Sequence, residues 1–259
     1  MKKIASFMTA AVLLCACMTA CGIPENTVHS ANDLEGKTIA CQLGTTGYIF
    51  AGDVTGATVE GYNKGSDAIL ALTQGKADAV IIDSEPAKVF VSKNSNLTIL
   101  DEPFAAEDYA IAYKKGNTEL GDKINAALDE LQADGTLDTI ISHWIGDDAD
   151  QFSYTPDASV VRSNGKLVMA TNATFPPYES TVNGKVVGID PDIMQAVCDK
   201  LGMELEIEDM EFDAILPAVA AGDADVGAAG LTITEERLKN VDFSDSYAYS
   251  TQVIVVRAK

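Results

Sequence analysis

The chain has 259 residues, enough for one large domain or two of about 100–150 residues with an ample core. Its 47% apolar and 22% charged content is that of an ordinary globular protein. A formal charge of −21 leaves no basic face to neutralise phosphates, which excludes nucleic acid as a partner; the acidic surface serves solubility and weakly favours cationic ligands.

Met1-Lys2-Lys3 opens the chain, and an apolar run over 4–14 follows that is too short to span a bilayer stably. It leads to Met18-Thr19-Ala20-Cys21-Gly22, whose small residues before a cysteine resemble a bacterial lipobox. That resemblance implies a signal peptide over 1–21, with Cys21 lipidated as the mature N-terminus and the protein held on the outer face of a cell membrane. Cys17 is a poorer second candidate, and an ordinary signal peptide with accidental cysteines is the alternative. Residues 22–30 read as a short polar leader. Cys41 and Cys198 then remain, in separate halves of the chain, and no disulfide is expected. His29 and His143 are far apart, and no Cys/His cluster has ligand spacing, so neither a metal nor a cofactor is expected.

From residue 34 the pattern alternates. Strands are expected at 37–42, 58–62, 79–83 and 97–100, with helices at 48–54, 66–73 and 84–91. A strand at 108–113 and a turn at 114–117 lead into a helix over 118–134, whose Leu120, Ile124, Leu128 and Leu131 form one stripe. A helix at 137–144 follows. Residues 147–164 are acidic, contain Ser and Pro, keep no period, and read as a linker. Beyond it come strands at 166–170, 204–208, 225–229 and 252–257. Helices are expected at 190–201, 212–220 and 234–240, and an Asn183-Gly184 hairpin turn falls between the first strand and the first helix.

Two stretches nearly repeat. Asp67-Ala68-Ile69-Leu70 leads into Gly75-Lys76-Ala77-Asp78-Ala79, and Asp213-Ala214-Ile215-Leu216 leads into Gly222-Asp223-Ala224-Asp225-Val226. Each reads as a helix closed by glycine before an apolar strand. Gly36-Lys37-Thr38-Ile39 and Gly165-Lys166-Leu167-Val168 open the two units. Two related α/β halves that face each other leave a cleft between them.

The second unit resembles the polar amino-acid-binding members of the bacterial extracellular solute-binding proteins, family 3, which serve ABC importers. The resemblance rests on Ala170-Thr171-Asn172-Ala173-Thr174-Phe175-Pro176-Pro177-Tyr178-Glu179, Gly188-Ile189-Asp190-Pro191-Asp192, the run from Gly230 to Arg237, and Val241-Asp242-Phe243-Ser244-Asp245-Ser246-Tyr247. The first unit resembles the family's other lobe through Gln42-Leu43-Gly44-Thr45-Thr46-Gly47, the run from Ala77 to Asp83, and Asp134-Gly135-Thr136. The segments stand in exchanged order. The resemblance thus implies an α/β, two-lobed, periplasmic-binding-protein-like (type II) clamshell with its lobes circularly permuted. The expected division is an N-terminal lobe at 31–107 and a C-terminal lobe at 108–259, with 147–164 joining the ancestral termini. That division leaves a single covalent crossing near Glu107–Tyr109 and a freer hinge.

A free α-amino acid carries opposite charges a few ångströms apart, and a buried site must neutralise both. By resemblance, Arg237 clamps the carboxylate with help from Thr232, Gly230 and Thr46, and Asp83 binds the ammonium. Read without the family, Arg237 is a surface helix residue and Asp83 a helix N-cap. Phe175 and Phe212 would flank the side chain, and Gln42 and Asn172 would face its tip. Glu179 is expected to turn outward. The implied role is a substrate-binding component that presents a polar or cationic amino acid, lysine or arginine ahead of glutamine or histidine, to an ABC importer permease, as a monomer and without catalysis. A dehydratase-like enzyme on the same scaffold and a receptor module for a separate sensor are the alternatives.

Overall fold

A computed structural model describes residues 23–146, 149 and 154–258; the segment expected to be a signal peptide, Cys21 included, lies outside the described residues. In chain order the first part comprises β1 (Thr38–Gln42), α1 (Thr46–Gly52), β2 (Thr58–Tyr62), α2 (Gly65–Thr73), β3 (Ala79–Asp83), α3 (Ser84–Ser92), β4 (Leu97–Ile99) and β5 (Ala105–Tyr109). β6 (Ala112–Lys114), α4 (Thr118–Ala133), α5 (Thr136–Trp144), β7 (Lys166–Thr171), β8 (Thr174–Phe175), β9 (Glu179–Val182) and β10 (Lys185–Val187) follow. The chain continues through α6 (Ile189–Leu201), β11 (Glu204–Asp209), α7 (Phe212–Ala221), β12 (Val226–Gly227), β13 (Val241–Phe243) and β14 (Ala248–Arg257). The helix expected at 234–240 is only a 3-10 turn over Arg237–Lys239.

Two sheets carry the lobes. One has the order β2-β1-β3-β14-β4, with β5 also paired to β14; the other runs β11-β7-β12-β6-β13. β1 and β3 are apolar runs buried almost throughout, as central parallel strands covered on both faces must be. The near-repeat in the sequence has a physical cause. Asp78 Oδ2 accepts from the Thr38 N–H at 2.9 Å while its own N–H donates to the Thr38 carbonyl at 2.8 Å. Asp225 does the same to Val168, at 2.8 and 3.0 Å. Each repeated aspartate therefore ties the strand after the helix to the strand before it. Gly75 and Gly222 close the preceding helices at φ of +70° and +89°, a region that glycine enters without a Cβ penalty.

The division at 107/108 differs from the pairing observed. β14 leaves the C-terminal lobe and becomes an interior strand of the N-terminal sheet, antiparallel to β3, with Gln252 opposite Asp83. The lobes are thus joined by two crossings, after β5 and before β14, rather than by one. These are bonded to each other: the Tyr247 N–H donates to the Tyr109 carbonyl at 2.9 Å, and the Ser244 N–H to the Ile111 carbonyl at 2.9 Å. Local pattern placed 252–257 with its neighbours in sequence, whereas its partners lie at long range in β3, β4 and β5. The expectation of a freer, single-strand hinge has no basis in this arrangement. One apolar cluster also runs through the junction, from Leu72 and Val80 by way of Tyr109 and Tyr247 to Leu131, Leu167 and Met194.

The α4 stripe is as expected, with Ile124, Leu128 and Leu131 buried and Leu120 packed at its edge. Cys41 and Cys198 are buried free thiols. The described part of the linker, 154–164, has no regular structure but is anchored to α6. Asp199 accepts from Arg162 Nε at 3.0 Å, Tyr154 OH at 3.3 Å, the Asp157 N–H at 3.0 Å and Gln195 Nε2 at 3.0 Å. Asp199→Ala should lower stability by about 2 kcal/mol, because it leaves a half-buried guanidinium and several donors without their acceptor. It should also open 154–164 to proteases. Denaturant melts and limited proteolysis check this, and an unchanged cleavage rate would show that the segment is not held by Asp199.

Candidate functional site

Both sheets point the carboxyl ends of their parallel strands at one narrow, nearly closed cleft, the usual place for a ligand in open α/β sheets. Gln42, Thr45, Thr46 and Asp83 line it from the N-terminal lobe, and Phe175, Phe212, Ala229, Gly230 and Arg237 from the C-terminal lobe. Seven of the nine residues singled out in the sequence are in that lining. Asn172 and Thr232 are the other two; both are buried and brace the walls. Asn172 Oδ1 accepts from Gln42 Nε2 at 2.9 Å across the cleft, and its Nδ2 donates to the Met210 carbonyl at 2.7 Å.

Arg237 is no surface residue. It is 7% exposed, and its guanidinium donates to the Thr232 carbonyl at 2.7 Å and across the cleft to the Gly44 carbonyl at 3.1 Å. Its Cζ lies 5.8 Å from the centre of the Phe212 ring, within cation–π range. Two carbonyls use only part of a five-donor fork that also suits a carboxylate. Burial pulls its pKa down, opposed by the charges of Glu107 and Asp83.

Asp83 precedes α3, yet its side chain makes no capping bond there. Oδ1 instead accepts the Tyr109 hydroxyl. Burial, and then the charge of Glu107, raise its pKa to about 7. Sequence reasoning missed Glu107, which is 2% exposed. Its Oε2 accepts from the Thr46 hydroxyl at 2.9 Å and from the Thr232 hydroxyl, so a single carboxylate ties both lobes together. Burial raises its pKa, while those hydroxyls and Arg237 oppose the rise. Gln252 was missed as well: it is buried on β14 and donates from Nε2 to Thr46 Oγ1 at 3.2 Å. The signals were present. Glu107 and Tyr109 share the inward face of β5 at period two, and Gln252 is a lone amide before an apolar run.

Glu179 turns inward, against expectation, and is fully buried on β9 beneath the cleft. Among the described residues, no group of three or more His, Cys, Asp or Glu is placed to hold a metal.

Two buried carboxylates against one guanidinium make the cleft costly to ionise. Because Asp83 has a raised pKa, the folded state binds its proton more tightly than the unfolded chain does. Stability from this group is complete below about pH 4 and is lost as pH rises towards 7. Asp83→Asn should therefore melt with the wild type near pH 4 and above it at pH 8, by about 5 °C or more without ligand. Equal or lower melting temperature at pH 8 would contradict the charge assignment.

The family model for bacterial extracellular solute-binding proteins, family 3, matches residues 80–147 and 167–259, together more than half of the chain. Among curated relatives, the arginine-binding extracellular protein ArtP of Bacillus subtilis is 38% identical over 90 residues, 35% of this chain and 35% of that protein. A probable histidine-binding protein of Neisseria gonorrhoeae is 40% identical over 103 residues, 39% of this chain and 38% of that one. The L-cystine-binding protein TcyJ of Escherichia coli is 33% identical over 126 residues, 48% of this chain and 47% of that one. The matched stretches thus span between a third and a half of the length of these relatives. With its two-sheet architecture and this match over both halves, the chain belongs to the bacterial extracellular solute-binding proteins, family 3.

Proposed function

We propose that the cleft captures a free α-amino acid with a polar or cationic side chain, for delivery to an ABC importer permease. The observation that carries this reading is a buried guanidinium, Arg237, on one wall and a buried acid, Asp83, on the other. In it, Arg237 takes the α-carboxylate with hydroxyls from Thr46 and Thr232 nearby, and Asp83 takes the ammonium. Phe175 and Phe212 flank the side chain, and the Gln42–Asn172 amide pair faces its tip. A ligand held from both walls favours the closed clamshell.

Lysine and arginine are favoured over glutamine and histidine. Once a ligand ammonium holds Asp83 in its charged form, two acids face Arg237 in the cleft, and a cationic side chain offsets the second of them. The relatives named above for arginine and histidine support the same class. The neutral Asn172 and Gln42 keep glutamine as the competing choice. Membership of a solute-binding family argues against the dehydratase-like alternative. In this reading the protein works as a monomer outside the cell, tethered through lipid on Cys21.

A thermal-shift series with L-arginine, L-lysine, L-histidine and L-glutamine tests the ligand class. One or two of them should raise the melting temperature. Arg237→Ala should remove the response while its circular dichroism stays that of the wild type; a response that survives this substitution would overturn the carboxylate assignment. Loss of uptake on deletion of the gene separates transport from presentation to a sensor.

We further propose that the lobes are circularly permuted. Two observations support this: the family match falls in two stretches, and residues from opposite ends of the sequence meet where Arg257 Nε donates to the Pro24 carbonyl at 3.0 Å. A re-ordered chain running 165–258 into 23–146 should fold to the same spectrum and keep the same ligand response. Failure to fold would count against permutation.

A further inference from the structure

Beneath the cleft lies a pair of acids that the proposed grip on a ligand does not use. Glu179 is fully buried, and among the described residues neither of its carboxyl oxygens meets a hydroxyl, amide or cation. It packs against the carboxyl of Asp190, in the first turn of α6 and 1% exposed. Asp190 is already engaged: Oδ2 accepts from the Gly230 N–H at 2.7 Å and Oδ1 from the Tyr247 hydroxyl at 2.8 Å.

Two carboxylates in contact and out of water cannot both stay ionised, so one keeps a proton. Burial raises the Asp190 pKa to about 6, but its two donors stabilise the charged form, and Glu179 has no such support. The groups facing Glu179 from other elements compound the difference. Asp190 on α6, Asp83 at the end of β3 and Asp209 at the end of β11 are all acids, and each raises the cost of charging it. The phenol of Tyr247 also faces it. Asp192, on the same helix as Asp190, is occupied by Trp144 Nε1 at 2.8 Å, and Lys185 of β10 faces solvent. Burial and these neighbours hold the Glu179 carboxyl well above the usual range.

The far end of this chain of contacts is the cleft wall. Gly230 lines the cleft at φ +54°, and a Cβ there would come within 3.1 Å of the Phe175 ring. Its backbone direction is set by the N–H that Asp190 holds.

We propose that Glu179 is a positioning residue: it keeps a proton at neutral pH, donates it in a hydrogen bond to Asp190, and so maintains Asp190 as the charged anchor of Gly230 and Tyr247. The consequence for ligand affinity rests on the function proposed above; the proton and its effect on Gly230 do not. In wild-type minus Glu179→Gln infrared difference spectra at pH 7, the carbonyl stretch of a buried carboxylic acid should be present, and it should fade in alkaline buffer. The Gly230 amide resonance should move with that same titration in the wild type and stay fixed in Glu179→Gln, which keeps a donor but cannot ionise. Glu179→Leu, which has no donor, should displace the resonance at every pH and weaken L-arginine binding about tenfold, with Glu179→Gln near the wild type. Should Glu179→Leu fail to fold, the wild type and Glu179→Gln decide between them. Absence of the acid band, or a Gly230 amide indifferent to the titration, overturns the proposal. Failure of the wild type to bind any of L-arginine, L-lysine, L-histidine and L-glutamine counts against the ligand class and leaves the infrared and amide results to judge Glu179.

Discussion

Charge removed from water at the meeting of two sheets is the constraint around which this molecule is built. Arg237, Asp83 and Glu107 are all buried there, and none can be desolvated without partners. The partners are supplied by both lobes: carbonyls of Gly44 and Thr232 for the guanidinium, hydroxyls of Thr46 and Thr232 for Glu107, and the Tyr109 phenol for Asp83. These bonds hold only while the lobes are together, and even then Glu107 Oε1 and Gln252 Oε1 are buried without a partner among the described residues. The cluster also remains unbalanced, with two acids to one base, and burial has pushed the pKa of Asp83 to about 7. A charged group kept near neutrality by its surroundings is a common mark of a functional site.

The scaffold delivers these groups by simple means. In each half, the strand after the repeated helix is pinned to the strand before it by an aspartate, Asp78 or Asp225, and the strand ends and the segments that follow them then carry the cleft residues. Gln42 ends β1 and Asn172 directly follows β7, the corresponding strand of the other half, and their amides meet across the gap at 2.9 Å. The two crossing segments are bonded to each other and embedded in a continuous apolar cluster. Opening would thus bend a paired hinge, in which Tyr109 and Tyr247 are central, and would break the bonds from Gln42 to Asn172 and from Arg237 to Gly44.

Much of this was legible in the sequence because it is local. The glycine-closed helices, the apolar β1 and β3, the α4 stripe and the Asn-Gly hairpin follow from periodicity and turn chemistry. Seven of the proposed contact residues were found because they sit in motifs, mostly at the ends of strands and the starts of helices, that resemble a known family. What escaped depends on long-range pairing. Residues 248–257 are adjacent in sequence to the C-terminal lobe, and only β-pairing across some 170 residues, Gln252 to Asp83, places them in the other sheet. Glu107 looked like part of a plain crossing because its two hydroxyl partners come from positions 46 and 232. Glu179 looked like a surface acid because the second acid beside it, Asp190, comes from another element, and no local pattern signals such a buried pair.

The central claim is that the two poles of one small zwitterion are held by groups on opposing lobes. A crystal structure of the protein grown with the amino acid that stabilises it most tests this directly. The account predicts the α-carboxylate on the Arg237 guanidinium, the ammonium on Asp83, and Glu107 still bonded to Thr46 and Thr232. A ligand seated outside this cleft, or one whose ammonium points away from Asp83, would contradict it.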